Sequence, residues 1–329
     1  MRLTVLIAAV ALAAAAPLAA SAAPPRTADG NPDLTGMWTN GSLTSLQRPA
    51  GQKLVLTPAE AQAMAAPRNS ARTADDAPIN PTEALPVRPQ IAQGYNSFWG
   101  DPGDSYARVR GEHRTSWIVD PPDGRLPLTD AARARAQVSA TRSAQMPEGP
   151  EALAAWDRCL IGSRGSGGPG MLNNIYNNTY QMVLTPTSLV IVVEMVHDAR
   201  IVPIFPSKAA AQAGHGPAVL HPWLGDATAW WEGPTLVVET INVHPEEGRS
   251  GPILLSPQAR VTERLTRTDD GIDYAFTVED PENYTRPWRA EMVFTAQKGA
   301  IYEFACHEGN YAMTGILGAA RRADRGEGN

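Results

Sequence analysis

The C-terminal run at residues 302–311 gathers the side chains in this chain that are best suited to chemistry. It reads Tyr-Glu-Phe-Ala-Cys-His-Glu-Gly-Asn-Tyr and contains Cys306, His307 and Glu308. The first half alternates as a β-strand does, and the Gly-Asn pair that follows indicates a loop. Because histidine titrates near neutral pH, an imidazole beside a carboxylate at a strand end suits general acid–base catalysis. The run therefore predicts a site and leaves the reaction open.

Two segments in the middle of the chain supply further acid–base candidates. An apolar strand run becomes polar at its end and then carries His197. Farther along, a loop at residues 221–226 reads His-Pro-Trp-Leu-Gly-Asp. We predict that His197 and His307 act as acid and base and that Asp226 or Glu308 orients them. A solvated strand end and a packed cover over one end of a barrel are the structural alternatives for these two segments.

The segment Tyr284-Thr285-Arg286-Pro287-Trp288 places one guanidinium between aromatic residues. Aromatic faces with a cation nearby form a platform for a planar or sugar-like ligand, and a structural cation–π stack is an equal alternative. The predicted substrate-binding residues are Arg200, His221, Trp223, Tyr284, Arg286 and Trp288.

Several familiar catalytic motifs are absent or stand in the wrong context. Residues 165–170 fit the dinucleotide pattern G-x-G-x-x-G, but they follow a predicted helix, contain Pro169 and open no helix. A flexible loop near a pocket mouth is the better interpretation. The zinc motif H-E-x-x-H is incomplete because residue 311 is Tyr, and H-x-H, C-x-x-C and G-x-S-x-G do not occur. We therefore predict no cofactor and no metal site. The alternative is a metal held by ligands gathered from distant strands, His113, His197, His221 and His307 with a carboxylate.

The N-terminus has the pattern of a secretory signal peptide. A positive start is followed by an apolar segment and by the small-residue cleavage site Ala20-Ser21-Ala22, so residues 1–22 are predicted to be removed. A membrane anchor is the alternative, but the apolar segment is short, and no later segment predicts a membrane span. The formal net charge is −6, and no basic run is interleaved with aromatic residues, so no nucleic-acid partner is expected. We expect a periplasmic or secreted protein.

Two cysteines, Cys159 and Cys306, remain after the predicted cleavage. An oxidising compartment permits them to pair, which would close a loop of 306 − 159 = 147 residues. Two separate buried thiols are the alternative, because spacing in the sequence does not show that the two residues are close in space.

The second half of the chain reads as one strand after another. Short turn sequences link these strands, and no helical pattern separates them, which argues against a parallel α/β sheet. We predict one β-rich domain over residues 23–329, with an irregular and helical cover at 23–176 and an antiparallel strand core at 177–311. A sheet this long must close, or fold onto itself, to protect its edges. The predicted strands lie at residues 33–39, 117–120, 180–184, 189–197, 200–204, 227–231, 236–243, 259–267, 273–279 and 288–295, and the predicted helices at 57–66, 129–144 and 150–160.

Motifs along nearly the whole mature chain resemble a family of secreted bacterial proteins to which no reaction is assigned. They are Pro-Asp-Leu-x-Gly-x-Trp at 32–38, Val-Asp-Pro-Pro-Asp-Gly-Arg-x-Pro at 119–127, Trp-x-Gly-Asp at 223–226, the Trp-Glu-Gly segment at 231–240, and the closing run at 302–311. The resemblance implies membership and no particular activity. Separately, Gly36-Met37-Trp38 is similar to the Gly-x-Trp of lipocalins. The predicted fold is therefore mainly β: an antiparallel β-barrel or strongly curved sheet, lipocalin-like, with short helices and a long irregular N-terminal cover.

Three functions fit these observations. The first is an exported enzyme without a redox cofactor, a hydrolase, lyase or isomerase that acts on a small, partly apolar substrate. The second is a lipocalin-like carrier of a hydrophobic small molecule, and the third is a cell-envelope interaction protein. Ionisable groups that converge in a cavity favour the enzyme, a wholly apolar lining favours the carrier, and a filled barrel favours the interaction protein.

Overall fold

The structure is a computed structural model of the 329-residue chain. It describes residues 24–75, 100, 102–143, 147, 149–162, 165–247, 251–306 and 311–327. The predicted signal peptide lies outside the described residues. The described part is mainly β, with a closed nine-stranded mixed barrel and four short α-helices. Within those ranges, no helix is long and apolar enough to cross a bilayer.

The strands are short in the first half of the chain and long in the second half. In chain order they are β1 Gly36–Thr39, β2 Val55–Leu56, β3 Arg108–Val109, β4 Glu112–Arg114, β5 Ile118–Asp120, β6 Thr179–Leu184, β7 Ser188–Val193, β8 Ala199–Phe205, β9 Asp226–Glu232, β10 Thr235–Ile241, β11 Arg260–Arg267, β12 Gly271–Glu279 and β13 Trp288–Ala296. The helices are α1 Pro58–Asp75, α2 Asp130–Ser143, α3 Lys208–Ala213 and α4 Tyr311–Asp324.

Nine strands close the barrel in the order β1-β6-β7-β8-β9-β10-β11-β12-β13. The barrel closes because β1 pairs with β6 on one side and with β13 on the other. Strand β5 adds to β13, and β2, β4 and β3 form a separate small sheet. The predicted mainly-β barrel is confirmed.

One barrel seam differs from the predicted antiparallel meander. Strands β8 and β9 are parallel and pair at Ile204–Ala229 and Phe205–Trp230. The physical reason is the link at residues 206–225, which carries α3 across the outside of the barrel and is long enough for a parallel crossover. The sequence pattern at α3 is too short to stand out as a helix.

Large side chains fill the barrel interior because alternate residues of each strand point inward. Tyr180 and Phe294 meet edge to face with centroids 5.0 Å apart, and Phe276 meets Trp288 in the same way at 5.6 Å. Trp38, the Trp of the Gly-x-Trp sequence, is 3 % exposed and lies under the Arg267 guanidinium. This aromatic core holds the strands in register.

Three local elements differ from the sequence prediction. Helix α1 continues through Pro67 to Asp75, and beyond the proline Asn69 donates to the Asp104 carbonyl at 2.9 Å, a tertiary contact that local sequence does not predict. The predicted helix at 150–160 is a short 3-10 helix, Pro150–Ala152, followed by turns. The predicted strand at 189–197 ends at Val193, and a second 3-10 helix, Met195–His197, follows it.

The C-terminal run was predicted to begin as a strand, and that prediction is wrong for its described part. Residues 302–306 form no strand. Other contacts hold them: Tyr302 N donates to Glu194 Oε1 at 3.3 Å, and Phe304 stacks on Tyr176. Helix α4, which the sequence did not predict, begins at residue 311.

Candidate active site

The barrel wall opens between β8 and β9. In the described structure these strands share two ladder pairs, at Ile204 and Phe205. The next bond of the ladder would need a backbone N–H at residue 203, and Pro203 has none. Beyond this proline the strands separate, and a cleft of about 310 Å³ lies between residues 198–201 and residues 222–227.

Two charged residues, Asp198 and Arg200, line this cleft among mostly apolar neighbours. The other lining residues are Leu160, Ala199, Ile201, Pro222, Trp223, Leu224, Gly225 and Ala227. Trp223 is fixed in place because its indole stacks on His244, with ring centroids 4.0 Å apart. The volume is at the lower end of the range for small-molecule sites, roughly 300–1,000 Å³.

The described residues of the glycine loop, 162 and 165–170, lie beside the two charged residues of the cleft. Gly162 N donates a hydrogen bond to Asp198 Oδ2 at 2.7 Å, so a main-chain donor holds this carboxylate. At Gly168 the φ angle is +88°, and a Cβ atom would lie 2.7 Å from Arg200 Nη1. Glycine is therefore required where the loop passes the guanidinium. The sequence predicted a loop near a pocket mouth, and its position beside the cleft agrees with that prediction.

A buried ion pair anchors Arg200 inside the barrel. Arg200 Nη1 and Nη2 donate to the two carboxylate oxygens of Glu263 at 3.0 and 2.5 Å. Tyr274 Oη donates to Glu263 Oε1 at 2.5 Å, and Thr240 Oγ1 accepts from Arg200 Nη2 at 3.3 Å. Burial alone would raise the pKa of Glu263, but the Arg200 charge and these hydrogen bonds outweigh it and hold that pKa below its usual value. Both partners therefore stay charged.

A second, smaller cavity lies on the other side of the glycine loop. It has a volume of about 20 Å³, which is room for about one water molecule. Gly162, Gly165, Gly168 and Glu247 are among its lining residues. Glu247 Oε2 is buried and has no hydrogen-bond partner in the described part of the chain. Gly162 therefore connects the two spaces, since it lines this cavity and donates to the Asp198 carboxylate of the cleft.

Glu247 and Asp198 are two carboxyl groups in different electrostatic environments. Burial and the negative charge of Asp198 together raise the pKa of Glu247 to about 9, against the opposing effect of the Arg200 guanidinium. At neutral pH, Glu247 is therefore protonated and can donate a proton. Asp198 instead accepts the backbone N–H of Gly162. Two carboxyl groups whose environments differ in this way can divide the roles of acid and base.

The structure brings some predicted site residues together at the cleft. Arg200 and Trp223 line it, and His221 directly precedes Pro222 at its rim. Asp226 begins β9 on the face that α3 covers, and it does contact a histidine. That histidine is His215, whose Nδ1 lies 3.2 Å from Asp226 Oδ2 and forms no hydrogen bond with a described residue.

Three predicted binding residues lie away from the residues that line the cleft. Trp288 is fully buried in the barrel core, and Tyr284 is 2 % exposed and accepts a hydrogen bond from Leu254 N at 2.9 Å. Arg286 is half exposed and pairs with Asp120 Oδ1 at 3.0 Å. Trp288 belongs to the core because its strand position points inward, Tyr284 is buried just before β13, and the guanidinium between them points to the surface.

The predicted catalytic histidines fall at the margin of what the structure describes. His307 and Glu308 lie outside the described residues. The backbone of His197 ends the 3-10 helix directly before Asp198, while its side chain is not described. The roles of these three residues stay predictions.

The two cysteines form a disulfide beside the cleft. The Cα atoms of Cys159 and Cys306 lie 5.6 Å apart, and the two sulfur atoms are bonded. Of the two alternatives left open by the sequence, pairing is therefore the correct one. Because Leu160 follows Cys159 directly and lines the cleft, the disulfide ties the cleft rim to the C-terminal segment.

Sequence reasoning assigned no role to Asp198, Glu247 or His215. Asp198 was visible as a carboxylate beside His197, but only the turn after β7 directs it to the glycine loop. Glu247 follows Pro-Glu in a sequence typical of a solvated turn, and no local signal indicates its burial. His215 stands in a Gly-His-Gly loop whose contacts depend on the crossover.

No family model, no curated protein and no solved structure matches this chain. In the ranges that the structure describes, no three His, Cys, Asp or Glu side chains are grouped so that they could hold a metal ion. The protein is a closed mixed β-barrel, and a cleft with two charged residues lies in its wall where β8 and β9 separate.

Proposed function

We propose that this protein is an exported enzyme that performs acid–base chemistry on a small, partly apolar substrate in the cleft between β8 and β9. The observation that carries the proposal is the convergence of Asp198 and Glu247 at the glycine loop, beside a cleft that also contains Arg200. Ionisable groups that meet at a concave site are the usual mark of a catalytic centre.

The two carboxyl groups suit different roles in acid–base catalysis. Glu247, with its raised pKa, is the general acid, and Asp198, held by Gly162 N–H, is the general base. Arg200 stays charged because it pairs with Glu263, and it lines the cleft beside Asp198. These groups can transfer protons, which suits a hydrolase, a lyase or an isomerase. The one-water volume of the cavity beside Glu247 favours hydrolysis among these.

Export and family membership belong to the same proposal. The disulfide between Cys159 and Cys306 is of the kind that persists in an oxidising compartment, and this supports a periplasmic or secreted location. The motifs at the two ends of the chain support membership in the resembled family of secreted proteins.

A carrier without chemistry is the second candidate. The apolar lining favours it, since Leu160, Ile201, Pro222 and Leu224 outnumber the charged groups of the cleft. Ile201 is 70 % exposed and Leu160 is 44 % exposed, as expected where an apolar ligand would cover them.

The test compares three isosteric variants of the exported protein. Glu247→Gln and Asp198→Asn remove the acid and the base, while Glu246→Gln makes the same chemical change at a neighbour that pairs with Arg158. Each variant is assayed against a panel of small chromogenic esters, glycosides and lactones. We expect the first two to lose about 100-fold or more in kcat and the third to keep its activity. The wild-type rate should also fall as the pH rises through about 9, where Glu247 loses its proton.

Two outcomes would contradict the proposal. If Glu247→Gln is as active as Glu246→Gln, Glu247 is not the general acid. Absence of turnover by the wild type, together with equal binding of an apolar dye by all the variants, would establish the carrier. His307→Ala adds a test of the C-terminal prediction: it should abolish turnover and leave the circular dichroism spectrum unchanged.

A further inference from the structure

The backbone of β8 presents bonded groups on one edge and open groups on the other. Val193 N donates to the Asp198 carbonyl at 2.7 Å, and Ile204 N donates to the Thr187 carbonyl at 2.8 Å. In an antiparallel ladder the direction of the N–H and C=O groups alternates from one residue to the next. The even-numbered residues of β8 therefore bond to β7, and the N–H and C=O groups of Ala199 and Ile201 point the other way.

That second edge of β8 faces the cleft. The ladder with β9 comprises the pairs at Ile204 and Phe205, so neither Ala199 nor Ile201 has a ladder partner on β9 in the described structure. Both residues line the cleft, with Ala227 of β9 on the opposite side. A strand edge with open N–H and C=O groups is a template for another extended chain.

The side chains around this edge suit a chain that carries an apolar residue. Ile201 and Leu160 are exposed at the rim, and Trp223 and Leu224 also line the cleft. Arg200 is paired with Glu263, and Asp198 accepts the backbone N–H of Gly162, so a ligand would meet mainly apolar side chains and the open backbone edge.

We propose that the cleft binds a short extended peptide segment, which adds to the edge of β8 through the backbone groups of Ala199 and Ile201. An apolar side chain of the peptide packs near Leu160 and Trp223. This inference rests on the open strand edge and not on Glu247, so it stands apart from the acid–base proposal. It names the chemical class of the ligand: a polypeptide in the β conformation.

The first experiment separates backbone recognition from side-chain recognition. The probes are acetyl-lysyl-leucyl-valine amide and the same peptide with its backbone nitrogens methylated, and binding to the exported protein is followed by calorimetry. N-methylation keeps the side chains and removes the donors, so it should weaken binding at least 10-fold. Equal binding of the two peptides, or binding of neither, would overturn the proposal.

The second experiment changes the protein edge. Ala199→Pro and Ile201→Pro each remove one cleft-facing N–H and leave the bonds to β7 intact. Asp198 has a ψ angle of 141°, which is compatible with a proline at the next position. Ile201→Ala is the matched control, because it shortens the side chain and keeps the N–H. We expect at least 10-fold weaker peptide binding in the proline variants and a change within about 5-fold in the control.

Two readouts keep these results distinct from folding and from catalysis. Near-ultraviolet circular dichroism and melting temperature show whether each proline variant folds, and Ala199→Pro decides the matter if Ile201→Pro does not. Glu247→Gln should bind the peptide as the wild type does. Unchanged binding in both folded proline variants would show that the β8 edge is not the docking site. That outcome would leave the acid–base proposal untouched.

Discussion

Two seams of the same barrel differ in how completely they are closed. Strands β12 and β13 pair antiparallel over eight registered positions, from Gly271–Thr295 to Val278–Trp288. Strands β8 and β9 pair parallel at two positions. The long seam carries the aromatic core, and the short seam carries the cleft with its charged groups. In this barrel, therefore, one part of the wall contributes mainly to stability and another part contains the cleft.

Residue types account for this difference. The seam between β12 and β13 has no proline within its paired residues, so every alternate backbone group can bond across it. In β8, Pro203 removes one donor at the point where the ladder with β9 stops. Beyond that point the Cys159–Cys306 disulfide is nearby, since Cys159 directly precedes Leu160 at the cleft rim. The Cys159–Cys306 disulfide therefore lies on the side of the barrel where the strand ladder is short.

Loss of the Cys159–Cys306 disulfide should have the largest effect on the stability of the fold. In the chain-entropy model, a disulfide that closes 147 residues stabilises the folded chain by roughly 5 kcal/mol. We expect urea unfolding with a reductant to show a loss approaching this value. The control is the double variant Cys159→Ser with Cys306→Ser, in which the reductant should change nothing. A wild-type midpoint that does not move on complete reduction would show that the open side needs no covalent support.

A pair of alanine substitutions compares the two seams directly. Trp288 is fully buried at the closed seam, and Trp288→Ala should lower the free energy of unfolding by about 3–5 kcal/mol through lost contacts and a residual cavity. Ile201, on the open seam, is 70 % exposed, and Ile201→Ala should change it by no more than about 0.5 kcal/mol. Chemical denaturation measures both values. Similar losses for the two variants would mean that the seams contribute equally to stability.

Local periodicity predicted the closed seam well and the open seam poorly. Alternation at 273–279 and 288–295 predicted β12 and β13 almost to their ends, because each strand buries one face and period-two patterning follows from that alone. The parallel pairing of β8 with β9 depends on where the crossover returns the chain. No pattern within either strand contains that information.

The candidate site shows the same limit. Arg200, Trp223 and the glycine loop were recognisable because arginine, tryptophan and clustered glycines are unusual at such positions. Glu247 was not, since a glutamate in a turn is exposed in most proteins, and its burial arises from tertiary packing of the segment around it. Tyr284 and Trp288 were predicted as ligand contacts because sequence alone does not distinguish an aromatic platform from an aromatic core.

The buried ion pair between Arg200 and Glu263 links the interior to the open seam, and its removal gives the smallest of the three effects on stability. Glu263→Gln leaves the Arg200 charge buried without its counter-ion and should destabilise the fold by about 3 kcal/mol at neutral pH. Glu232→Gln is the control, because Glu232 forms an exposed pair with Arg264 on the barrel surface, and its loss should cost less than about 1 kcal/mol.

The pH dependence of that loss identifies its electrostatic origin. The pKa of Glu263 is lowered in the folded chain, so its contribution is present above the unfolded value near 4.5 and disappears as the pH falls toward the folded value. The difference between wild type and Glu263→Gln should therefore shrink below about pH 4.5, as measured by urea unfolding at a series of pH values. The difference between wild type and Arg200→Met should shrink in the same range, since a protonated Glu263 no longer needs the guanidinium. A difference that stays constant with pH would mean that the pair acts through shape alone.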